Sequence, residues 1–456
     1  MTPDLRAFAR SIGIGLLIGA VAGLVFHQFL GWTLMGGLAG FSYQLQRTRA
    51  FKVFVALAML GMIIVALLIW NVPATRKWIF RAVGEEAEAV PVAPTKCAFD
   101  SLTPRVGQLA ALSEPQDFGY PTTTVDRLSI RQWLSGRYYD ALDTMLTAYS
   151  DSARRDFRLE YRAFDVYESF YVSDTTLKPF MDEWVHDRPR SGNARLIRAS
   201  YYVAAAYDAR GAKNMAKTST RQVSGMRDFQ RLARADVDTA LTLMPCNVNG
   251  YSLLMKIAPL KGDTGMSRAL LNQALTMQPQ SFVLRARHMY NLRPRWGGSY
   301  EAMERFATEA DPVVAVNPRL AALHGFEPWD RGDGFERNND FTNALAQYTL
   351  ALTSGDLWQF RLERGQFFLR HDRLDEAADD LDHAILQRPQ HVDVLRYRAK
   401  VSYAAGRATQ QDRSPFFSEA FRLIDLAAQL DPGNASVQET LEFYRKNIPE
   451  YAPNRP

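Results

Sequence analysis

The sequence predicts an all-α protein, with an N-terminal transmembrane helical hairpin followed by an α-solenoid of paired helices. Two long apolar stretches without acidic or basic residues lie within the first 84 positions. Beyond residue 122, apolar residues recur every three or four positions and strand-type alternation is absent. Small residues in the same region recur with a period of roughly 34 residues, the mark of a repeat architecture.

The membrane segment comes first. Residues 11–46 contain no Asp, Glu, Lys or Arg, and neither do residues 53–72. A helix as long as the first stretch would measure about 54 Å against a hydrocarbon core of about 30 Å, so it is not one straight span. The simplest partition puts one span at 12–34 and a second at 51–72, with Trp32 and Trp70 near the interfaces. Gly36, Gly37 and Gly40 then mark the turn between them. The rival partition splits the first stretch into two short spans and gives three in all. Either way, five of the eight basic residues in 1–84 fall on one side and three on the other, so the positive-inside rule does not choose. The expectation is two spans in a bacterial inner membrane with a cytoplasmic body; three spans would place the body in the periplasm. Gly15, Gly19 and Gly23 form a ridge on one helix face, suited to close packing against the second span or to self-association. His27, inside the first span, is expected at a protein-facing or interfacial position.

Residues 85–122 change character, with Glu85, Glu86 and Glu88 followed by Pro91, Pro94, Pro104, Pro115 and Pro121. This composition predicts an extended linker between the bilayer and the body.

The body divides by pattern into a helical region at 123–312 and a more regular repeat region at 313–456. Four segments carry a small residue, Ala seven positions later and Pro five after that: Ala233/Ala240/Pro245, Ser267/Ala274/Pro279, Ala377/Ala384/Pro389 and Ala420/Ala427/Pro432. A fifth, Ala344/Ala351, has Asp356 in the proline position, and Gly136, Ala141 and Ala148 make a partial sixth. Two antiparallel helices pack closely only where small residues face each other, and proline ends the second helix. This pattern resembles the tetratricopeptide repeat (TPR). One unit matches at Trp329, Gly332, Phe335, Phe341, Ala344, Tyr348 and Ala351, with the tryptophan displaced by one position. The next matches at Gly365, Phe368, Leu374, Ala377, Leu381, Ala384 and Pro389. A third has Ala399 at the small position and an insertion around 409–415. A last amphipathic helix near 437–447 is expected to cap the stack.

The middle region carries a second resemblance, through Trp184, Pro189, Ala194, Arg195, Tyr202, Ala206 and Ala209-Arg210-Gly211, and most specifically through the PRWGGSYEAM run at 294–303. It is similar to the bacterial domain of unknown function 4034 family. That resemblance implies a helical, repeat-like body and brings no activity with it.

Composition narrows the function classes. The chain has 54 basic and 49 acidic residues, but outside 1–84 the balance is 46 against 48. A near-neutral body is not the electrostatic footprint of a nucleic-acid binder. Cys97 and Cys246 exclude a disulfide scaffold; they could pair in an exported body, but free thiols are the expectation. The phosphate-loop, dinucleotide, zinc-protease and nucleophile-elbow signatures are absent, so no enzyme, cofactor or metal is expected. Asp375, Asp379 and Asp382 share a helix face between His371 and His383, a conceivable metal site that reads better as a solvated face. The Arg331-Gly332-Asp333 triplet reads as chance, because the helix pairing needs its glycine. In segment 294–299, paired glycines with Arg293 and Arg295 could bind an anion, the basis of an alternative function as an enzyme or anion-binding domain. The plainer reading is an interhelix turn with Ser299 capping the next helix.

The resemblance to TPR proteins implies that the first helix of each unit lines a concave groove. In this register, Trp329, Asp333 and Glu336, then Gln359, Leu362, Gln366 and Leu369, then Asp393, Arg396, Lys400 and Tyr403 point into it. The candidate partner-binding residues are Trp329, Gln359, Leu362, Gln366, Arg396, Lys400 and Tyr403: apolar surfaces for side chains, amides for a peptide backbone, cations for an acidic group. The expected function is that of a membrane-anchored scaffold docking a protein or peptide partner beside the lipid bilayer.

Overall fold

In the computed structural model, the described residues are Cys97 and 126–452, apart from 173, 212–216 and 262. The membrane spans, the glycine ridge, His27 and all of the linker except Cys97 lie outside them. Among the described residues, all regular structure is helical, and no helix is long and apolar enough to cross a membrane.

Seventeen α-helices follow one another among the described residues. An entry segment comprises α1 (Arg127–Ser135), α2 (Tyr139–Arg155), α3 (Glu160–Glu168) and α4 (Lys178–Asp187). Two helix pairs come next: α5 (Gly192–Arg210) with α6 (Thr220–Leu243), and α7 (Val248–Lys261) with α8 (Thr264–Met277). Then α9 (Phe282–Asn291) and α10 (Tyr300–Val314) lead to a 3-10 segment, Pro318–Gly325, against which α10 packs. Three more pairs complete the stack: α11 (Phe326–Arg337) with α12 (Phe341–Thr353), α13 (Trp358–Arg370) with α14 (Leu374–Gln387), and α15 (Val392–Ala408) with α16 (Ser414–Leu430). The last helix, α17 (Ala435–Asn447), covers the exposed end of the stack with Val437, Leu441 and Tyr444.

The repeat residues act as the spacing requires. Ala233, Ala240, Ser267, Ala274, Ala344, Ala351, Ala377, Ala384, Ala420 and Ala427 are all fully buried on the second helices of the five pairs. At the facing position of α11, a Cβ on Gly332 would lie 2.5 Å from the Tyr348 ring, so the pair closes only over glycine. Helices α6, α8, α14 and α16 each end two residues before their proline. In the unit without one, Asp356 holds Arg361 at 2.8 Å and accepts from Gln387 at its backbone carbonyl, fixing the same turn with polar contacts. The architecture is a TPR-like solenoid.

Two expectations are corrected. Ala141 and Ala148 are exposed, because α2 buries Tyr139, Leu142, Leu146 and Ala153 instead; the partial sixth unit is one residue off the buried stripe and is not a repeat. The two cysteines are not free: Cys97 and Cys246 form a disulfide that ties the linker to the α6–α7 turn. Pairing across 149 residues of sequence needs a folded body, and no local pattern announces it.

The entry segment does not simply precede the stack. Tyr167, at the end of α3, bonds Asn193 on α5 at 2.5 Å and Asn247 at the start of α7. Glu160, at the other end of α3, accepts from the Ser281 hydroxyl at 2.5 Å and from the backbone amides of Phe282 and Val283 at the start of α9. Arg131 donates to the Leu430 carbonyl at the end of α16, and the Arg127 amide donates to Gln390 before α15. The entry helices therefore join early units to late ones.

Candidate functional site

The seven groove candidates fall into two groups. Trp329 on α11 is only 4% exposed; it packs on Phe326, Phe360 and Tyr290, with the Arg293 guanidinium 4.4 Å above its ring. Leu362 is buried on α13, and Gln359 and Gln366 beside it are half-buried. The Gln359 side-chain oxygen is buried without a hydrogen-bond partner, while Gln366 accepts from Arg370 at 3.5 Å. These four sit within the protein's own packing.

Arg396, Lys400 and Tyr403 lie four and three positions apart on α15 and share one face, each partly exposed. Arg396 pairs with Asp393 at 2.9 Å and lies 4.2 Å from the Tyr397 ring. Lys400 sits 5.3 Å from the same ring without a carboxylate at ion-pair distance among the described residues, and burial, with Arg396 adding to it, pulls its pKa down. Tyr403 stacks on Tyr444 of the capping helix at 5.0 Å and meets Phe443, which is 46% exposed. The stripe therefore runs from two cations to an open aromatic edge. Phe443 and Tyr444 escaped the sequence reading, since the cap belongs to no repeat unit and its contact with α15 is tertiary.

Between α9, α11 and α13 lies a polar floor that the sequence also concealed. Arg293 and Asp330 form an ion pair with both side chains buried. Glu336 takes the Tyr348 hydroxyl at 2.9 Å and the Arg370 guanidinium at 2.6 Å. Burial, reinforced by Asp333, pushes the neighbouring Glu363 carboxyl up to about 7, so this floor can carry a proton near neutrality.

Segment 294–299 forms a closed turn. Gly297 adopts φ 89°, and a Cβ on Gly298 would fall 1.9 Å from the Leu292 carbonyl oxygen. The Gly297 and Gly298 amides donate to the Pro294 and Arg293 carbonyls, and Ser299 caps α10 through the Ala302 amide. The paired glycines thus bind no anion with these amides. Trp296 is half-buried, edge-on to Tyr207 at 6.5 Å.

The remaining candidates resolve into structural roles. Asp375, Asp379 and Asp382 are exposed on α14, and no His, Cys, Asp or Glu group able to hold a metal ion occurs among the described residues. The buried acid of that helix is Asp380, held by Arg361 and Arg364 at 2.7 Å. Arg331 pairs with Glu327, and Asp333 with Arg337 at 3.1 Å.

No family model matches the chain and no curated protein matches it, so the resemblance of the middle region to the domain of unknown function 4034 family is not shown. Among solved structures, the fold is similar to YrrB, described as a TPR protein with an unusual peptide-binding site, at 14% identity over 57% of this chain and 97% of that chain, with a TM-score of 0.21. It is similar also to the TPR domain of P58(IPK), at 12% identity over 71% of this chain and 98% of that chain, with a TM-score of 0.25. The TPR-like character is carried by the buried small residues of the five helix pairs and the proline stops of four of them.

Proposed function

We propose that this chain is a TPR-type interaction module, anchored to a membrane by its apolar N-terminal segment, that docks a protein or peptide partner on the inner face of α15. The observation that carries the reading is the stripe of Arg396, Lys400 and Tyr403. It offers a cation without a carboxylate at one end and exposed aromatic surface at the other. A matching partner presents an acidic group a few residues from an aromatic or aliphatic side chain. The rigid stack keeps the stripe preformed, and tethering raises the partner's effective concentration.

The Cys97–Cys246 disulfide supports an oxidising compartment for the body, hence the periplasmic side of a bacterial inner membrane. The apolar stretch at 11–46 would then be divided into two spans. Phosphatase and fluorescent-protein fusions after Pro94 test this: phosphatase activity is expected, and fluorescence alone would refute the exported body.

For the docking site, a photo-crosslinking residue at position 403 of the membrane-bound protein is expected to give a discrete adduct. Arg396→Glu with Lys400→Glu should abolish that adduct while helical circular dichroism stays unchanged. An adduct of undiminished yield in the double variant would remove the stripe from the function.

A further inference from the structure

We propose a second site on this protein, a phosphate-binding pocket formed by Arg210, Arg287 and Arg295 around Trp296 and Tyr207. It lies at the junction of α5, α7, α9 and the 294–299 turn, away from the α15 stripe, and does not depend on it.

The guanidiniums of Arg210 and Arg295 approach the same indole, with their carbons 5.2 Å and 5.1 Å from the centre of the Trp296 ring. Neither forms an ion pair with a carboxylate among the described residues. Arg210 is 7% exposed; one terminal nitrogen donates to the adjacent Gly211 carbonyl, and its Nε is buried without a partner. Arg287 gives one terminal nitrogen to Glu168 at 2.6 Å and likewise has a buried Nε without a partner. Tyr207 stands among the three: its ring meets Trp296 edge-on, and all three guanidiniums favour its ionised form against the effect of burial. Its own hydroxyl donates to the Lys256 carbonyl at 2.7 Å.

Three acids nearby are already engaged. Glu168 is shared by Arg287 and Lys256, Asp330 is held by Arg293, and Asp333 is paired with Arg337. Burial depresses the Arg295 guanidinium, with Arg293 and, less, Arg210 adding to it and Asp333 and Asp330 opposing it. Stacking on an indole satisfies the face of a guanidinium but leaves its edge N–H groups to find an acceptor. Two cations without a carboxylate partner and two buried N–H donors without acceptors are costly unless an anion joins them. A phosphate group suits this set better than a carboxylate. It carries nearly two negative charges at neutral pH and has enough oxygens to take several guanidinium edges. The aromatic walls, Trp296, Tyr207 and the partly exposed Tyr290, would accommodate a flat substituent on the ester.

The test is calorimetric titration of the full chain in detergent micelles with inorganic phosphate, phenyl phosphate and acetate, at ionic strength held constant with chloride. Saturable binding of phosphate is expected, with acetate at least tenfold weaker. Arg295→Gln changes an exposed side chain and should weaken phosphate binding at least tenfold. Arg210→Lys, which keeps the buried charge, should weaken it less than Arg210→Gln. Tighter binding of phenyl phosphate would identify an aromatic ester as the ligand, and equal binding a bare phosphate group. The Arg396→Glu, Lys400→Glu variant should retain the response in full. Non-saturable heats, undiminished binding in an Arg210→Gln, Arg295→Gln double variant, acetate as tight as phosphate, or loss of binding in the α15 variant would each overturn the site.

Discussion

At the scale of single residues, the molecule depends on where it hides charge. Burial pushes the Glu160 carboxyl up to about 7, against the Ser281 hydroxyl, Arg319 and the α9 amides that favour its ionised form. A carboxyl whose folded pKa is raised stabilises the fold below its ordinary range and loses that contribution as pH rises to about 7. Glu363 has the same sign. His288, buried against Phe306 and bonded to Ser267 at 2.8 Å, is pushed by burial down to about 3 and acts oppositely, costing stability as pH falls below its ordinary value. Glu160→Gln keeps the shape and the α9 contacts. It should flatten the fall in stability between pH 4.5 and 7, measured by thermal unfolding across that range; an unchanged slope would mean that Glu160 is not the titrating group. Small residues matter as much. Ala384 is fully buried between α13 and α14, so Ala384→Leu should cost about 1–3 kcal/mol in chemical denaturation.

At the scale of elements, what could be read in advance was what a helix pair requires of itself. Small residues at the crossing, Pro after the second helix and a hydroxyl or carboxylate at the first turn are local necessities, and they appear as local patterns. Ser219 and Gln222 at the start of α6 form a capping box, and Ser219→Ala should lower stability by about 1 kcal/mol, readable in urea unfolding. The pattern failed where a helix packs on something other than its pair. In α2, Ala141 and Ala148 fit the repeat spacing, yet Tyr139, Leu142 and Leu146 were the residues drawn to the core. Trp329 fits the groove register but is covered by Tyr290 of α9 and Arg293 just after it, outside its own unit.

At the scale of the whole molecule, the entry helices and the disulfide bind distant parts of the chain. Glu168 joins α3 to Lys256 on α7 at 3.1 Å, to Arg287 on α9 and to Arg388 beyond α14, while Asp165 holds Arg388 at 2.5 Å. Glu168→Ala would leave Lys256 and Arg287 without a carboxylate, while Arg388 keeps Asp165, and should cost about 3–5 kcal/mol. Hydrogen exchange should then speed up first in α1–α3, because these helices are held to the stack by long-range contacts. Reduction of Cys97–Cys246, or Cys97→Ser, should lower unfolding stability by about 2–5 kcal/mol, since the bridge restricts a long loop in the unfolded chain.

The sequence alone determined the helical class, the five helix pairs, their ends and the capping helix. Each follows from periodicity, side-chain size or backbone chemistry within about forty residues of chain. It also marked the α15 stripe, because Arg396, Lys400 and Tyr403 share a helix face in any fold that keeps α15 intact. Tertiary structure alone decided that α3 bridges separate units of the stack, that Cys97 finds Cys246, and that Arg210 and Arg295 meet at Trp296. Those partners come from separate elements of the chain. Their meeting depends on how successive pairs rotate and pack, a sum of many small interhelical angles that no local pattern encodes.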